Sequence, residues 1–125
     1  MQYLIMAMET DDEFAAREDP ERAAEYWAGW EVYLAALNES GVMQGAGGLH
    51  PPATSTTVRL RDGQRIVHDG PFADTKEQLG GYFVIDVPDL DAAMGWAVRC
   101  PSAAQGSVEV RPLMTPEYYA STNGG

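Results

Sequence analysis

The sequence predicts an α+β fold in which two amphipathic helices pack on one face of an antiparallel sheet. Three observations support it: apolar runs typical of strands, two segments with helical spacing of apolar residues, and a hairpin signal between them. Their order is strand, helix, strands, helix, strand, which is the βαββαβ order of a ferredoxin-like sandwich, with one extra hairpin. The 125 residues are expected to form a single domain, 1–125, with a loosely held tail from about residue 115.

The first third of the chain predicts a central strand, a long helix and a glycine-rich strand. Residues 3–8 are apolar on both faces, as in a strand with neighbours on both sides. Residues 9–19 are acidic and are predicted as a loop, after which Asp19 and Pro20 should begin a helix that ends at Gly41. Residues 42–49 follow as the glycine-rich strand. The helix has one broad apolar face, made of Ala23, Tyr26, Trp27, Trp30, Tyr33, Leu34 and Leu37.

The middle of the chain predicts a hairpin that ends in a tight turn. Residues 56–60 and 64–69 flank Asp62-Gly63, and Asp-Gly between alternating segments is a strong hairpin signal. Gly70-Pro71 should break the second strand, because glycine tolerates positive φ and proline lacks a backbone donor. Phe72 is expected to anchor this turn in the core, so Phe72→Ala should cost about 3–5 kcal/mol.

The remainder predicts a helical turn, a strand, a second helix and a last strand. Residues 75–78 fit a capping box, so a single helical turn is expected before a strand over residues 82–87. Asp89 should open the second helix, and residues 107–114 should form the last strand. The apolar residues of the second helix recur at helical spacing: Leu90, Ala93, Met94 and Ala97.

The charge and cysteine content exclude several classes of function. A net charge of −11 argues against binding to nucleic acid or to an anionic membrane, because both need clustered Lys and Arg. The short apolar run at the amino terminus has no basic residues before it, unlike a signal peptide. Cys100 is the only cysteine, so no internal disulfide can form. We expect a soluble, cytoplasmic protein.

A group of charged residues after the hairpin is the main candidate site. Lys76, the only lysine, lies close in sequence to Asp69 and Glu77. A partly desolvated lysine could bind an anionic group, and a nearby carboxylate could move a proton. Arg111 on the last strand could hold the same anion. The alternative is that Asp69 bonds backbone amides in its turn while Lys76 and Glu77 are solvated.

Histidines and aromatic residues supply the other candidates. His50 precedes two prolines and could be a general base, or equally a surface residue that caps a turn. His68 is expected to be an ordinary strand residue. No His, Cys or carboxylate pair has the spacing of a metal site, so neither metal nor cofactor is expected. Trp30 belongs to the apolar helix face, part of which could floor a small-molecule pocket.

Three motifs identify a family. Asp69-Gly70-Pro71-Phe72, the KEQLGG run at 76–81 and the VEVRP run at 108–112 closely resemble the YCII-related family, in its DGPF-domain branch. The likeness covers nearly the whole chain, to about residue 112. It implies a ferredoxin-like fold assembled as a dimeric α+β barrel. It also implies an association with extracytoplasmic-function sigma factors, and hence an accessory or regulatory role.

The resemblance also bears on activity. Some relatives carry a histidine on the first helix and an aspartate near its end, proposed as an acid–base pair. Here the first helix has no histidine and ends in Leu37-Asn38-Glu39-Ser40. The primary hypothesis is therefore a homodimer that binds a small anionic ligand in a cleft, and the alternative is a small enzyme using acid–base chemistry there. The predicted catalytic residues are Asp69 and His50, and the predicted ligand-binding residues are Lys76, Glu77, Arg111 and Trp30.

Overall fold

The computed structural model describes residues 1–71 and 73–122, and its elements follow the predicted order. The strands are β1 (Gln2–Thr10), β2 (Met43–Gly48), β3 (Thr56–Arg61), β4 (Gln64–Asp69), β5 (Glu77–Asp86) and β6 (Ser107–Pro112). The helices are α1 (Asp11–Ala16), α2 (Ala23–Ser40), α3 (Leu90–Arg99) and α4 (Pro116–Thr122). The main sheet is antiparallel in the order β2-β5-β1-β6, and β3 pairs with β4 alone. The predicted ferredoxin-like sandwich with an extra hairpin is therefore confirmed.

Strand β1 lies in the middle of the sheet, between β5 and β6, as its apolar sequence predicts. Its side chains alternate between two environments. Tyr3, Ile5 and Ala7 are buried in the core with side chains of α2 and α3, whereas Leu4 and Met6 lie half-buried on the opposite face. One face of the sheet is thus covered by helices and the other is only partly covered within one chain.

An aromatic cluster joins α2 and α3 to the covered face. Trp30 stacks on Phe83 with ring centres 5.9 Å apart, and Tyr33 meets Phe83 edge-on at 5.6 Å. The Tyr33 hydroxyl donates to the backbone carbonyl of Trp96 at 2.9 Å. Such ring pairs contribute about 0.5–1.5 kcal/mol each beyond their buried area. The apolar face predicted for the first helix therefore supplies the core of the sandwich.

The hairpin β3–β4 has the turn that its sequence predicts. Asp62 and Gly63 have φ values of 51° and 75°, and two-residue hairpin turns of type I′ need positive φ at both positions. Every residue of β4 is exposed, and Val58 and Leu60 of β3 expose 58% and 70% of their surface. The hairpin therefore contributes little to the core.

The acidic segment after β1 is a helix, and the predicted loop was wrong. Thr10 accepts a hydrogen bond from the backbone N–H of Glu13 at 3.2 Å, and the Glu13 carboxylate accepts one from the backbone N–H of Thr10 at 3.1 Å. This capping box satisfies two amides at the start of α1, and the acids of its first turn favour the positive end of the helix dipole. The acidic residues that predicted a loop are those of the first turn of α1.

The long helix begins at Ala23, three residues later than predicted. The Asp19 carboxylate accepts from the backbone N–H of Glu21 at 2.9 Å, and the Asp19 carbonyl accepts from the amide of Ala23 at 2.8 Å. Residues 20–22 thus form a turn that leads into α2. Gly41 ends the helix as predicted, with φ 76°.

The predicted helical turn at residues 75–78 was also wrong. The chain is extended from Glu77 onwards, where Glu77 pairs with Thr10 and Gln78 with Glu9 across the sheet. The Gln78 side-chain amide donates to the Thr75 hydroxyl at 3.0 Å, so the capping residues stabilise a turn before β5. Pairing with β1 outweighs the local helical preference. The predicted anchor Phe72 lies outside the described residues.

Two features complete the description of the chain. Helix α4 occupies most of the predicted tail, with both its tyrosines about half exposed, Tyr118 at 51% and Tyr119 at 50%. Within residues 1–71 and 73–122, no helix has the combined length and apolarity needed to cross a bilayer.

Candidate functional site

A cavity of about 740 Å³ lies between α2 and the helix-covered face of the sheet, near the end of β1. Its walls include four aromatic side chains. Tyr26, Trp27 and Trp30 line it from α2, Phe83 lines it from β5, and the backbone of the glycine-rich end of β2 closes another side. Pockets that bind small molecules are typically apolar concavities of roughly 300–1,000 Å³. This cavity has the size and the lining of such a pocket.

Glu9 is the buried polar residue at the floor of this cavity. The inward-facing residues of β1 are Tyr3, Ile5 and Ala7, and strand alternation places Glu9 next in the same series. Glu9 is only 1% exposed. A buried carboxylate is stabilised only if it is paired and hydrogen-bonded, and the surrounding residues provide those partners.

Arg17 and Tyr26 pair with both oxygens of this carboxylate. Arg17 Nη2 donates to Glu9 Oε1 at 2.5 Å, and the Tyr26 hydroxyl donates to Glu9 Oε2 at 2.5 Å. Arg17 Nε also donates to the Tyr26 oxygen at 3.0 Å. The three side chains therefore form a closed triangle, which we call the Glu9–Arg17–Tyr26 network.

Arg17 also connects this network to the backbone around it. Its Nη1 donates to the carbonyl of Leu49 at 2.5 Å, and its Nη2 donates to the carbonyl of Gly80 at 3.1 Å. Its guanidinium carbon lies 4.8 Å from the ring centre of Phe14 and 5.6 Å from that of Trp27. One side chain thus ties together the segment after α1, the end of β2 and strand β5.

Gly80 makes room for the network. The register of β1 and β5 shifts at this point, so Gly80 is the extra residue of a β-bulge. A Cβ atom on Gly80 would lie 2.0 Å from Glu9 Oε1 and 2.9 Å from Arg17 Nη2. Those atoms are held by the network and cannot move away freely. Gly80 therefore has a steric role at the site.

The electrostatic environment fixes the protonation of Tyr26 and Arg17. Burial, together with the hydrogen bond to Glu9, raises the pKa of Tyr26 to about 12, so its phenol is neutral at pH 7. Burial opposes the charged form of Arg17, but its hydrogen bonds to Glu9 and Tyr26 outweigh that effect and raise the pKa of Arg17. Arg17 is therefore a permanent cation that compensates the Glu9 carboxylate.

Two of the predicted site residues line the cavity. His50 lies at its edge and also lines an adjoining cavity of about 390 Å³, so it stands between the two. Trp30 is 8% exposed, and its indole N–H has no hydrogen-bond partner among the described residues. Trp30 is thus both a core residue and a wall of the cavity.

The other predicted site residues lie elsewhere. Asp69 is exposed at the end of β4, and Lys76 is exposed before β5. The Glu77 carboxylate accepts a hydrogen bond from the Ser107 hydroxyl, and Arg111 pairs with Glu109 at 2.7 Å on the surface. Over the described residues, the lining of the two cavities does not include these four residues: Asp69, Lys76, Glu77 and Arg111.

Sequence reasoning missed Glu9, Arg17 and Tyr26 as a functional group. One signal was available: Glu9 continues the inward series of β1, and a carboxylate in that register must have buried partners. Arg17 is the only basic residue between Met1 and Glu21, which marks it as a candidate partner. Across the described part of the chain, no cluster of His, Cys, Asp or Glu could hold a metal ion.

Comparison with known proteins identifies relatives in sequence and in structure. An uncharacterised protein of Rhizobium meliloti (strain 1021) is 44% identical over 77 residues, which cover 60% of this chain and 62% of that protein. The structure of 5-chloro-2-hydroxyhydroquinone dehydrochlorinase from Burkholderia phenoliruptrix, in complex with 2,5-dihydroxybenzoquinone, superposes with a TM-score of 0.53. That match covers 94% of this chain and 98% of the other at 15% identity, so it shows a shared fold.

The family resemblance is confirmed at the level of the family, and the DGPF branch stays a prediction. The family model of the YCII-related domain matches residues 1–116, which is nearly the whole chain. The match includes every strand of the sandwich, both of its packed helices and each residue that lines the cavity. The chain therefore belongs to the YCII-related domain family.

Proposed function

We propose that this protein binds a small, flat, largely apolar molecule in the 740 Å³ cavity. The observation that carries the proposal is the combination of aromatic walls with one fully paired polar network at the floor. The aromatic walls supply contact area, and a few polar groups set the orientation, as in most small-molecule sites. Tyr26, Trp27, Trp30 and Phe83 present the rings.

The Glu9–Arg17–Tyr26 network supports a binding role because it holds the walls in place. Glu9 belongs to β1, Arg17 follows α1, Tyr26 belongs to α2, and Arg17 reaches the carbonyls of Leu49 and Gly80. Five chain segments are therefore cross-linked around the cavity before any ligand arrives. A preorganised site loses less entropy on binding, which favours affinity.

The structural neighbour is compatible with this ligand shape. It is described in complex with 2,5-dihydroxybenzoquinone, a flat six-membered ring with oxygen substituents. One protein of this fold thus holds a flat ring. At 15% identity the neighbour supports the capacity of the fold, and the ligand of the present chain is proposed from its own cavity.

A cavity-filling variant tests the proposal. Gly48 lines the cavity, and a Cβ atom there would meet nothing within 4 Å. In Gly48→Leu the new side chain should fill the cavity and abolish binding of flat aromatic fragments in a thermal-shift and NMR screen. Gly95→Leu on α3 is the matched control, because Gly95 also has free space and does not line the cavity. Fragments that bind both variants as well as wild type would refute the cavity as the site.

Acid–base catalysis in the same cavity is the second candidate, and His50 is the observation that favours it. His50 lies between the two cavities, and histidine is the residue type that most often serves as a general acid or base near pH 7. The Tyr26 phenol is unsuited to the role of base, because its pKa of about 12 keeps it protonated at pH 7. Turnover of substituted hydroquinones by wild type, lost in His50→Ala, would establish the enzyme.

The anionic ligand predicted for Lys76, Glu77, Arg111 and Asp69 remains a separate proposal. Lys76 is exposed, and Arg111 already pairs with Glu109. Its support is the charge of these residues and the family resemblance. Binding of phosphate or benzoate that is lost in Lys76→Ala but kept in Gly48→Leu would place the site there. The accessory role with a sigma factor and the cytoplasmic location likewise stay predictions.

We further propose that the partly covered face of the sheet forms a homodimer. Leu4, Met6 and Met8 lie half-buried on this face, next to Tyr82, which is 37% exposed. A stable dimer would bury more than about 1,000 Å² there. Sedimentation at micromolar concentration should show a dimer that Met6→Glu dissociates, and a monomeric wild type would refute it.

A further inference from the structure

The charges that line the cavity do not balance. Over the described residues, its carboxylates are Glu9, Glu18 and Glu31, and its only permanent cation is Arg17. Arg17 is committed to Glu9 by their ion pair. Among the described residues, neither Glu18 nor Glu31 takes part in an ion pair. Two exposed carboxylates therefore line the cavity without an ion-pair partner in the described part of the chain.

The aromatic residues of the cavity wall attract cations, as these carboxylates do. Trp27 and Glu31 are four residues apart on α2, so they lie on the same side of the helix. Trp27 is 45% exposed, which leaves its ring available to a ligand. The faces of aromatic rings carry partial negative charge and attract cations within about 6 Å.

The aromatic cluster already accommodates one cation. The Arg17 guanidinium lies 5.6 Å from the ring centre of Trp27, 5.8 Å from that of Tyr26 and 4.8 Å from that of Phe14. These rings thus surround a positive charge that belongs to the protein itself. Trp27 also lines the cavity, together with Trp30 and Glu31.

From this arrangement we infer that the ligand of the cavity carries a positive charge, as an ammonium or guanidinium group attached to a flat apolar body. The inference rests on the proposed function of the cavity and adds the class of ligand. The apolar body packs against Trp30 and Phe83, and the cation lies near Trp27, Glu18 and Glu31. The predicted anionic ligand would instead meet two uncompensated carboxylates here.

Three probes with a common benzyl or phenyl ring test the charge preference. They are benzyltrimethylammonium, benzyl alcohol and benzoate, titrated into the full-length wild-type protein by calorimetry and NMR. We expect the cation to bind about tenfold tighter than the alcohol, because cation–π contacts and ionic attraction add to the same ring contacts. Benzoate should bind weakest, and added salt should reduce only the preference for the cation.

Charge-neutral variants locate the preference in the cavity. Glu31→Gln and Glu18→Gln should each weaken the cation several-fold and leave benzyl alcohol unchanged. Glu25→Gln is the matched control, because Glu25 lies exposed on the same helix but does not line the cavity. An unchanged affinity for the cation in Glu31→Gln and Glu18→Gln would overturn the inference.

The outcomes separate this inference from the proposed function. Benzyl alcohol binding that Gly48→Leu abolishes supports the cavity as the site, whatever the charge preference. Benzoate binding to that site as tightly as the cation would overturn the inference and leave the proposed function standing. If none of the three probes binds, both the proposed function and the inference fail.

Discussion

Two ion pairs of this protein have similar geometry and opposite surroundings. Arg17 and Glu9 approach to 2.5 Å with side chains 9% and 1% exposed, whereas Arg111 and Glu109 approach to 2.7 Å with side chains 69% and 51% exposed. The first pair is enclosed by three further segments of the chain, and the second lies along one surface strand. A short distance alone therefore does not identify a functional ion pair.

The difference is one of enclosure. Exposed charges are solvated and contribute little, because water screens them and their side chains lose entropy when held. Enclosed charges must form ion pairs and hydrogen bonds with each other, so each hydrogen bond of the Glu9–Arg17–Tyr26 network restricts the positions of the other side chains. The residues singled out by sequence adjacency, Asp69 and Lys76, resemble the exposed pair. The four predictions below test this contrast.

The largest effect is expected when the cation of the buried pair is removed. Arg17→Met should destabilise the protein by about 3–5 kcal/mol, because it leaves the Glu9 carboxylate buried without its partner. Arg111→Met, which breaks the exposed pair, should cost less than about 1 kcal/mol. Denaturant titration of both variants measures the contrast. Equal losses would show that the enclosure of Arg17 has no energetic consequence.

A smaller loss is expected from a single added methyl group at the bulge. Gly80→Ala places a Cβ atom 2.0 Å from Glu9 Oε1, so the network must shift at a cost of about 1–3 kcal/mol. Gly48→Ala is the matched control on the neighbouring strand, because nothing lies within 4 Å of its added Cβ. If Gly80→Ala proved as stable as Gly48→Ala, the close packing of Gly80 against Glu9 and Arg17 would be contradicted.

The third prediction concerns alkaline pH. The folded protein raises the pKa of Tyr26 from 10.0 to about 12, so it favours the protonated phenol. The stability contributed by this shift is present below about pH 10 and is lost as the pH rises towards 12. Tyr26→Phe should cost about 1–2 kcal/mol at pH 7, because Glu9 loses a donor.

The ultraviolet absorbance of tyrosinate provides the measurement. Burial also raises the pKa of Tyr33, so Tyr26 and Tyr33 should both ionise late in wild type. Tyr26→Phe should show one late-ionising tyrosine fewer than wild type. An unchanged number of late tyrosines in Tyr26→Phe would mean that Tyr26 is not enclosed as described.

The smallest effect is expected at Glu13, next to the network. Burial is the main cause that raises the pKa of Glu13, and the nearby charges of Glu9 and Glu77 add to it. A raised carboxylate pKa favours the folded state at low pH, and this contribution is lost as the pH rises through the folded-state pKa. Glu13→Gln keeps an acceptor for Thr10 and removes the charge.

As the pH rises from about 4 to about 7, the free energy of unfolding of Glu13→Gln should therefore increase relative to that of wild type, by less than about 1 kcal/mol. Denaturant titrations at both pH values measure the difference, with Glu25→Gln as an exposed control. A variant that is markedly less stable than wild type at pH 7 would show that the charge itself supports the capping box.

The sequence alone determined those features of the protein that depend on neighbouring residues. A run of residues that is apolar on both faces identified β1 as a central strand, helical spacing identified the core face of α2, and Asp62-Gly63 identified the hairpin. These signals are local, because each reflects backbone geometry or side-chain periodicity within a few residues. The motifs around residues 69–81 likewise identified the family.

Tertiary structure decided the remaining features, because they depend on contacts between distant segments. The capping-box residues 75–78 became part of the approach to β5 when pairing with β1 supplied more hydrogen bonds than one helical turn could. Glu9, Arg17 and Tyr26 come from three separate segments, and only packing brings them within hydrogen-bond distance. The cavity exists because helix, bulge and strand enclose a volume that no single segment encodes.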